Sequence, residues 1–115
     1  MSQAFDEREL LDRVDQDFEF LAETVHMLVE EGPALVAAIR AATAAGDAAA
    51  VGRSAHALKG MISNYCAEPA HASAAEVERL GKAGELAGVP AAVDALDARL
   101  GELIASLRDF LAARA

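Results

Sequence analysis

The apolar positions of the last quarter of the chain give the clearest pattern. Val89, Val93, Leu96, Leu100, Leu103, Leu107 and Phe110 alternate spacings of four and three, the seam of a long helix. Further upstream, Phe18, Leu21, Ala22, Val25, Leu28 and Val29 follow helical spacing from Asp17 to Glu31, and Leu35, Val36, Ile39 and Ala42 carry it on to Ala45. Gly32-Pro33 interrupts this arm. Proline lacks the backbone donor and crowds the preceding turn, so the arm is predicted to kink or break there. Gly46 stops it, and Asp47 caps the next helix. That helix runs from Ala48 to Cys66, with Val51, Ala55, Leu58, Ile62 and Tyr65 on one face. Glu68-Pro69 then opens a weaker helix to Ala87, in which Val77, Leu80, Ala83 and Ala87 face inward while Gly81 and Gly84 lower the propensity. Gly88-Val89-Pro90 forms the last turn. At the other end, Phe5 to Val14 reads as a short helix with an acidic start, joined to the arm by Asp15 to Asp17. It is too short to stand alone and should pack across one end of the molecule.

Helices joined by such short turns predict an all-α fold: an antiparallel, up-down-up-down four-helix bundle with a short N-terminal capping helix, rather than a dimeric coiled coil. A chain of 115 residues is one domain, residues 1–115. The apolar fraction of 54% is rich in Ala, the best helix former, and aromatics are limited to four Phe and one Tyr. No apolar run reaches the length of about 20 residues that spans a bilayer, and no signal peptide is visible. The single cysteine, Cys66, cannot form an internal disulfide. Together these features point to a cytoplasmic protein. A net charge of −9 argues against nucleic acid and anionic membrane as partners.

Candidate chemistry concentrates around His56. At about 100° per residue it lies about 140° from the middle of the apolar stripe and so faces water. Gly52, Arg53, Lys59, Gly60 and Ser63 surround it on the helix surface. Glycine costs about 1 kcal/mol against alanine inside a helix, so two on one exposed face suggest that something comes close to His56. The other histidines, His26 and His71, read as surface or boundary residues. Cys66 and His71 lack the paired, short-spaced companions of a zinc site. Glu76, Glu78 and Glu85 read as a solvated helix face. Phe20, Thr24 and Met27 form a second stripe opposite the core side of their helix; either the first short helix covers them or they are an apolar docking patch.

His56-Ala57-Leu58-Lys59-Gly60 resembles the H-x-L-K-G signature of histidine-containing phosphotransfer (HPt) domains. The likeness continues through Asn64 and Ala67, Val77-Glu78 and Gly84-Glu85, and Ala45-Gly46-Asp47 is similar to the family's turn before the histidine helix. It extends from about Phe5 to Leu111. Cys66 stands where the family usually has Gly, and Met61 and Ile62 replace residues that are often small. The resemblance implies a histidine phosphotransfer protein of a two-component phosphorelay. His56, on a central bundle helix, would accept a phosphoryl group from a receiver-domain Asp and pass it to another receiver. Lys59 would offset phosphate charge, and Gly60 would leave access to the ring. Gly52, Arg53, Ser63, Phe20 and Met27 are the candidate docking residues. The receivers would belong to response regulators or hybrid kinases and would bring the Mg²⁺, with no cofactor or metal on this chain, which would act as a monomer. No P-loop or Gly-rich kinase loop is present in the sequence, which fits a phosphocarrier without ATP-dependent kinase activity. The competing reading is a non-catalytic helical adaptor in which His56 is incidental.

Overall fold

The computed structural model describes residues 4–14 and 17–114. Its helices are α1 (Glu7–Arg13), α2 (Phe18–Ala44), α3 (Ala48–Ile62), α4 (Glu68–Ala83) and α5 (Val89–Ala112), with 3₁₀ turns at Ser63–Tyr65 and Leu86–Gly88. No strand occurs among the described residues. Helix α3 packs against α2 and α4, and α5 against the same two, which closes a four-helix bundle. Part of the expected junction after α1, Asp15 and Gln16, lies outside the described residues.

Local chemistry explains where the helices start. Asp6, Asp17 and Asp47 each accept a hydrogen bond at 3.0 Å from a backbone N–H three residues on, of Glu9, Phe20 and Ala50. Each thereby satisfies a donor that the first turn would leave unpaired. Helices α4 and α5 start on Pro69 and Pro90, where no donor is missed. The whole α5 seam from Val89 to Phe110 is buried, as is the α3 stripe of Val51, Ala55, Leu58, Ile62 and Tyr65.

Three expectations about elements are corrected. First, of the kink or break expected at Gly32-Pro33, the break does not occur: α2 continues through Pro33 as one helix. Its buried stripe, Leu21, Val25, Leu28, Gly32, Val36, Ile39 and Ala42, stays in phase across the proline. Pro33 itself is exposed, so water can serve the carbonyl that loses its donor. Burial of the stripe outweighs a penalty of about 3 kcal/mol. Second, the histidine helix stops at Ile62. The chain tightens into a 3₁₀ turn and reverses at Cys66, the one non-glycine residue with positive φ (54°) among those described. Left-handed backbone at this position is what makes glycine the easier residue there. Third, α4 ends at Ala83 because Gly84 (φ 71°) caps it, so Ala83 and Ala87 are exposed.

Helix α1 lies across the end of the bundle formed by this turn and the C-terminus of α5. The Asp6 amide donates to the Cys66 carbonyl (3.1 Å), and Arg13 donates to the Ser63 carbonyl (2.8 Å). Phe5 meets Phe110 edge to face at 5.4 Å. Helix α1 therefore does not cover Phe20 and Met27, which remain exposed. Thr24 turns its hydroxyl onto the Leu21 carbonyl and is half-buried.

Candidate functional site

His56 stands at mid-helix on α3 with its side chain 69% exposed. Its ring is nevertheless anchored. Nδ1 lies 2.8 Å from Oε2 of Glu78, which α4 brings across. The Glu78 side chain is only 6% exposed and serves two further groups: Lys59 Nζ lies 2.7 Å from Oε1, and Lys82 Nζ 2.9 Å from Oε2. A carboxylate buried among two ammonium groups and an imidazole stays ionised. Hydrogen bonds from Lys59 and then Lys82 outweigh its desolvation and hold its pKa down at about 2, with His56 adding to them. An ionised carboxylate only accepts, so Nδ1 of the neutral ring carries the hydrogen. That tautomer leaves the lone pair on Nε2, the nitrogen that faces away from Glu78.

Glu78 corrects the expectation of a solvated acidic face. Its position carried a signal: it follows Ala74 by four residues and precedes Gly81 by three, and both are buried. A carboxylate on the small-residue side of a helix lies against its neighbour, and a buried carboxylate needs cationic partners. Glu76 and Glu85 are exposed as expected, each facing Arg79.

Close approach of α3 and α4 makes the three-way contact possible. Gly52, expected on the docking face, is buried where it meets Gly81. A Cβ on Gly81 would stand 2.6 Å from the Gly52 nitrogen and 2.9 Å from its Cα, closer than atoms can pack. A Cβ on Gly52, by contrast, would come no closer than 3.8 Å, to Lys82, so the crossing needs Gly81 bare and tolerates a methyl at Gly52. Gly60 differs: a Cβ there would meet nothing within 4 Å. Arg53 and Ser63 are exposed, and the Ser63 hydroxyl donates to the Gly60 carbonyl at 2.7 Å. Met27 lines a shallow groove between α2 and α3 that Ala57 and Met61 continue toward His56. His26 pairs its Nε2 with Glu30 at 3.2 Å, and His71 lies near Cys66 at the α1 end of the bundle. Among the described residues no group of three or more His, Cys, Asp or Glu could hold a metal ion, and no helix is long and apolar enough to cross a membrane.

The low pKa of Glu78 has a consequence for stability. A carboxyl held below its ordinary value of 4.5 stabilises the fold above that pH, and the contribution is lost as pH falls from about 4.5 toward about 2. We expect unfolding free energy, measured by denaturant titration, to drop through this window. Glu78→Gln should lose about one proton's worth of that slope and be less stable than the parent at pH 7. An unchanged slope in the variant would show that Glu78 is not ionised by its partners.

Fold and site together define an all-α module that presents His56, anchored by the buried carboxylate of Glu78, on the surface of a four-helix bundle. The chain belongs to the Hpt domain family, whose family model matches residues 23–109. Its fold is that of histidine-containing phosphotransfer protein B from Pseudomonas aeruginosa, with a TM-score of 0.88 over 98% of both chains at 22% sequence identity. A comparison with curated proteins finds no match.

Proposed function

We propose that this chain is a phosphocarrier of a two-component phosphorelay in the cytoplasm, taking a phosphoryl group on His56 Nε2 from the aspartyl phosphate of one receiver domain and giving it to the aspartate of another. The observation that carries this reading is the ring held by Glu78 through Nδ1 on an otherwise open surface, within a chain of the Hpt domain family.

The chemistry follows from that geometry. Nε2 attacks phosphorus in line with the departing aspartate oxygen. The N–P bond forms as the P–O bond breaks, and the aspartate leaves as a carboxylate. Nδ1 keeps its proton, so the phosphorylated ring becomes a cation whose charge falls on the Glu78 carboxylate. In onward transfer the same ring leaves as neutral imidazole. Phosphoryl transfer asks for positioning and charge compensation more than for covalent help, and a ring held by Glu78 meets the first need. Lys59, tied to Oε1, serves the site by keeping Glu78 ionised. The receiver supplies the Mg²⁺, and this chain adds neither a metal nor an ATP site. Exposed Phe20 and Met27, with Arg53 and Ser63, would serve as docking surface.

The test is incubation with a phosphorylated receiver, followed by assay of this chain for phosphate that is acid-labile and base-stable. A receiver that binds without any such transfer would leave the adaptor reading standing.

Gly60 gives a separate prediction. Nothing stands within 4 Å of where its Cβ would be, so Gly60→Ala should stabilise the isolated domain, by up to about 1 kcal/mol. Gly60→Gln should fold equally well but place a side chain in the path of the receiver. A displacement of about 1 Å can cost on the order of a hundredfold in rate, so transfer to His56 should slow by 10-fold or more on that scale. Normal transfer by folded Gly60→Gln, in a rapid-quench assay, would remove Gly60 from the docking surface.

A further inference from the structure

We infer that the phosphoryl group on His56 is held by Lys82 and Arg53, from an open groove beside the ring, and that Lys59 does not contact it. This inference rests on His56 being the acceptor.

The cations around His56 are not equivalent. Lys59 is the more enclosed lysine: its side chain is 28% exposed and its ammonium sits on Oε1, the Glu78 oxygen that His56 does not use. Lys82 is 70% exposed and sits on Oε2, the oxygen that also receives His56 Nδ1. Two donors on one oxygen atom are near neighbours, so Lys82 is the cation beside the imidazole. Arg53 is exposed one turn before His56 on α3 and makes no ion pair among the described residues. Arg53 and Lys82 both line a groove of ≈ 780 Å³ that opens beside His56 between α3 and α4, and Lys59 does not line it.

Charge bookkeeping shows why Lys82 is free to move. Before phosphorylation, Oε2 has two partners, the neutral ring N–H and the Lys82 ammonium. When Nε2 takes the phosphoryl group and Nδ1 keeps its proton, the ring itself becomes a cation on Oε2. Glu78 then retains full compensation from the ring and Lys59 without Lys82. At the same moment a dianion appears on the other side of the ring. An exposed lysine on a flexible stem, released from one anion beside a new one, turns to the new one. Arg53 lines the same groove from α3 and can offer those oxygens two parallel N–H donors. No bond is made or broken in this step beyond the transfer itself.

The test uses phosphoramidate as phosphoryl donor: its N–P bond breaks, ammonia leaves, and the bond to the histidine nitrogen forms. The phosphorylated chain is titrated by ³¹P NMR. The charged groups around the phosphoryl group are Arg53 and Lys59 from α3 and Glu78 and Lys82 from α4. Nearby cations favour the dianion and lower the midpoint of its titration. Lys82→Met and Arg53→Met should each raise that midpoint by roughly 0.5 unit, less than a buried pair would give because both side chains are exposed. The double variant should raise it by about twice as much if the two sites act independently, and Lys59→Met should move it less than either single change. A shift for Lys59→Met as large as that of either single variant, or no shift in Lys82→Met and Arg53→Met, overturns the inference alone. Failure of the parent chain to take label, or equal labelling of His56→Gln, overturns the acceptor assignment and this inference with it.

Discussion

His56→Gln should take no phosphoryl group from a phosphorylated receiver and should melt within about 2 °C of the parent chain. The reason for the second half is geometric. The His56 side chain is largely exposed, and its one structural bond is donation from Nδ1 to Glu78. A glutamine side-chain amide also donates an N–H, so Glu78 keeps its third partner. Only the nucleophilic lone pair is gone. The other two histidines offer no replacement. His26 has its Nε2 on Glu30, and that carboxylate would repel an incoming phosphoryl group. His71 is half-buried in the α1 end of the bundle, near Asp6 and Glu9, and lacks lysines like those that hold Glu78. Radiolabel transfer with mass-spectrometric mapping checks this. Label retained by His56→Gln, or lost instead from His26→Gln, overturns it.

Gly81→Ala should be the most damaging single-methyl change in the bundle, whereas Gly52→Ala, on the facing helix, should be nearly harmless. A methyl on Gly81 meets the backbone of Gly52 at 2.6 and 2.9 Å and the Ala48 carbonyl oxygen at 3.1 Å. None of these atoms can rotate away, so the helices must separate. Overpacking typically costs about 1–3 kcal/mol, and backbone against backbone belongs at the upper end. Alanine's better helix propensity returns about 1 kcal/mol. The net loss of about 2 kcal/mol corresponds to a fall in Tm of roughly 8 °C in a domain of this size. A methyl on Gly52 comes no closer than 3.8 Å, to Lys82, so propensity alone decides there. Because separation of α3 and α4 also pulls Glu78 from the ring, Gly81→Ala should lose transfer rate even at temperatures where it is fully folded. Thermal melts of the two variants, with transfer rates at 20 °C below the midpoint, provide the check. Equal melting temperatures would mean that the crossing is not as tight as described.

The two variants also mark where sequence reading reached its limit. The α5 seam and the α3 stripe were legible because apolar side chains at 3.6-residue spacing have one use in a single domain, to be buried together. Every one of those positions is buried. His56, Lys59 and Gly60 were legible as neighbours on one helix for the same geometric reason. What crosses between helices was not legible. Glycine reads the same in sequence whether it makes room for a partner or for another helix, so nothing along the chain marks Gly81 as the point of closest approach. Glu78 read as solvated because charge is usually exposed, and only the lysines around it, one from α3 and one from its own helix, make its burial affordable. Pro33 failed as a helix breaker because a local cost of about 3 kcal/mol competes with the tertiary burial of a stripe seven residues long.

The arrangement of the site along the chain has a consequence for how it forms. Arg53, His56, Lys59, Glu78 and Lys82 all belong to α3 and α4, consecutive helices joined by the turn that reverses at Cys66. Closing so short a connection costs little chain entropy, and contacts of low sequence separation form fast. Contacts of α5 with α2, and of Phe5 with Phe110, span most of the chain and belong to later, slower steps. The α3–α4 hairpin is thus among the quick-forming parts of the topology, and the long helices supply its cover. Grafting this centre onto another bundle would require transplanting only residues 48–84, provided the host offers an apolar face to replace α2 and α5.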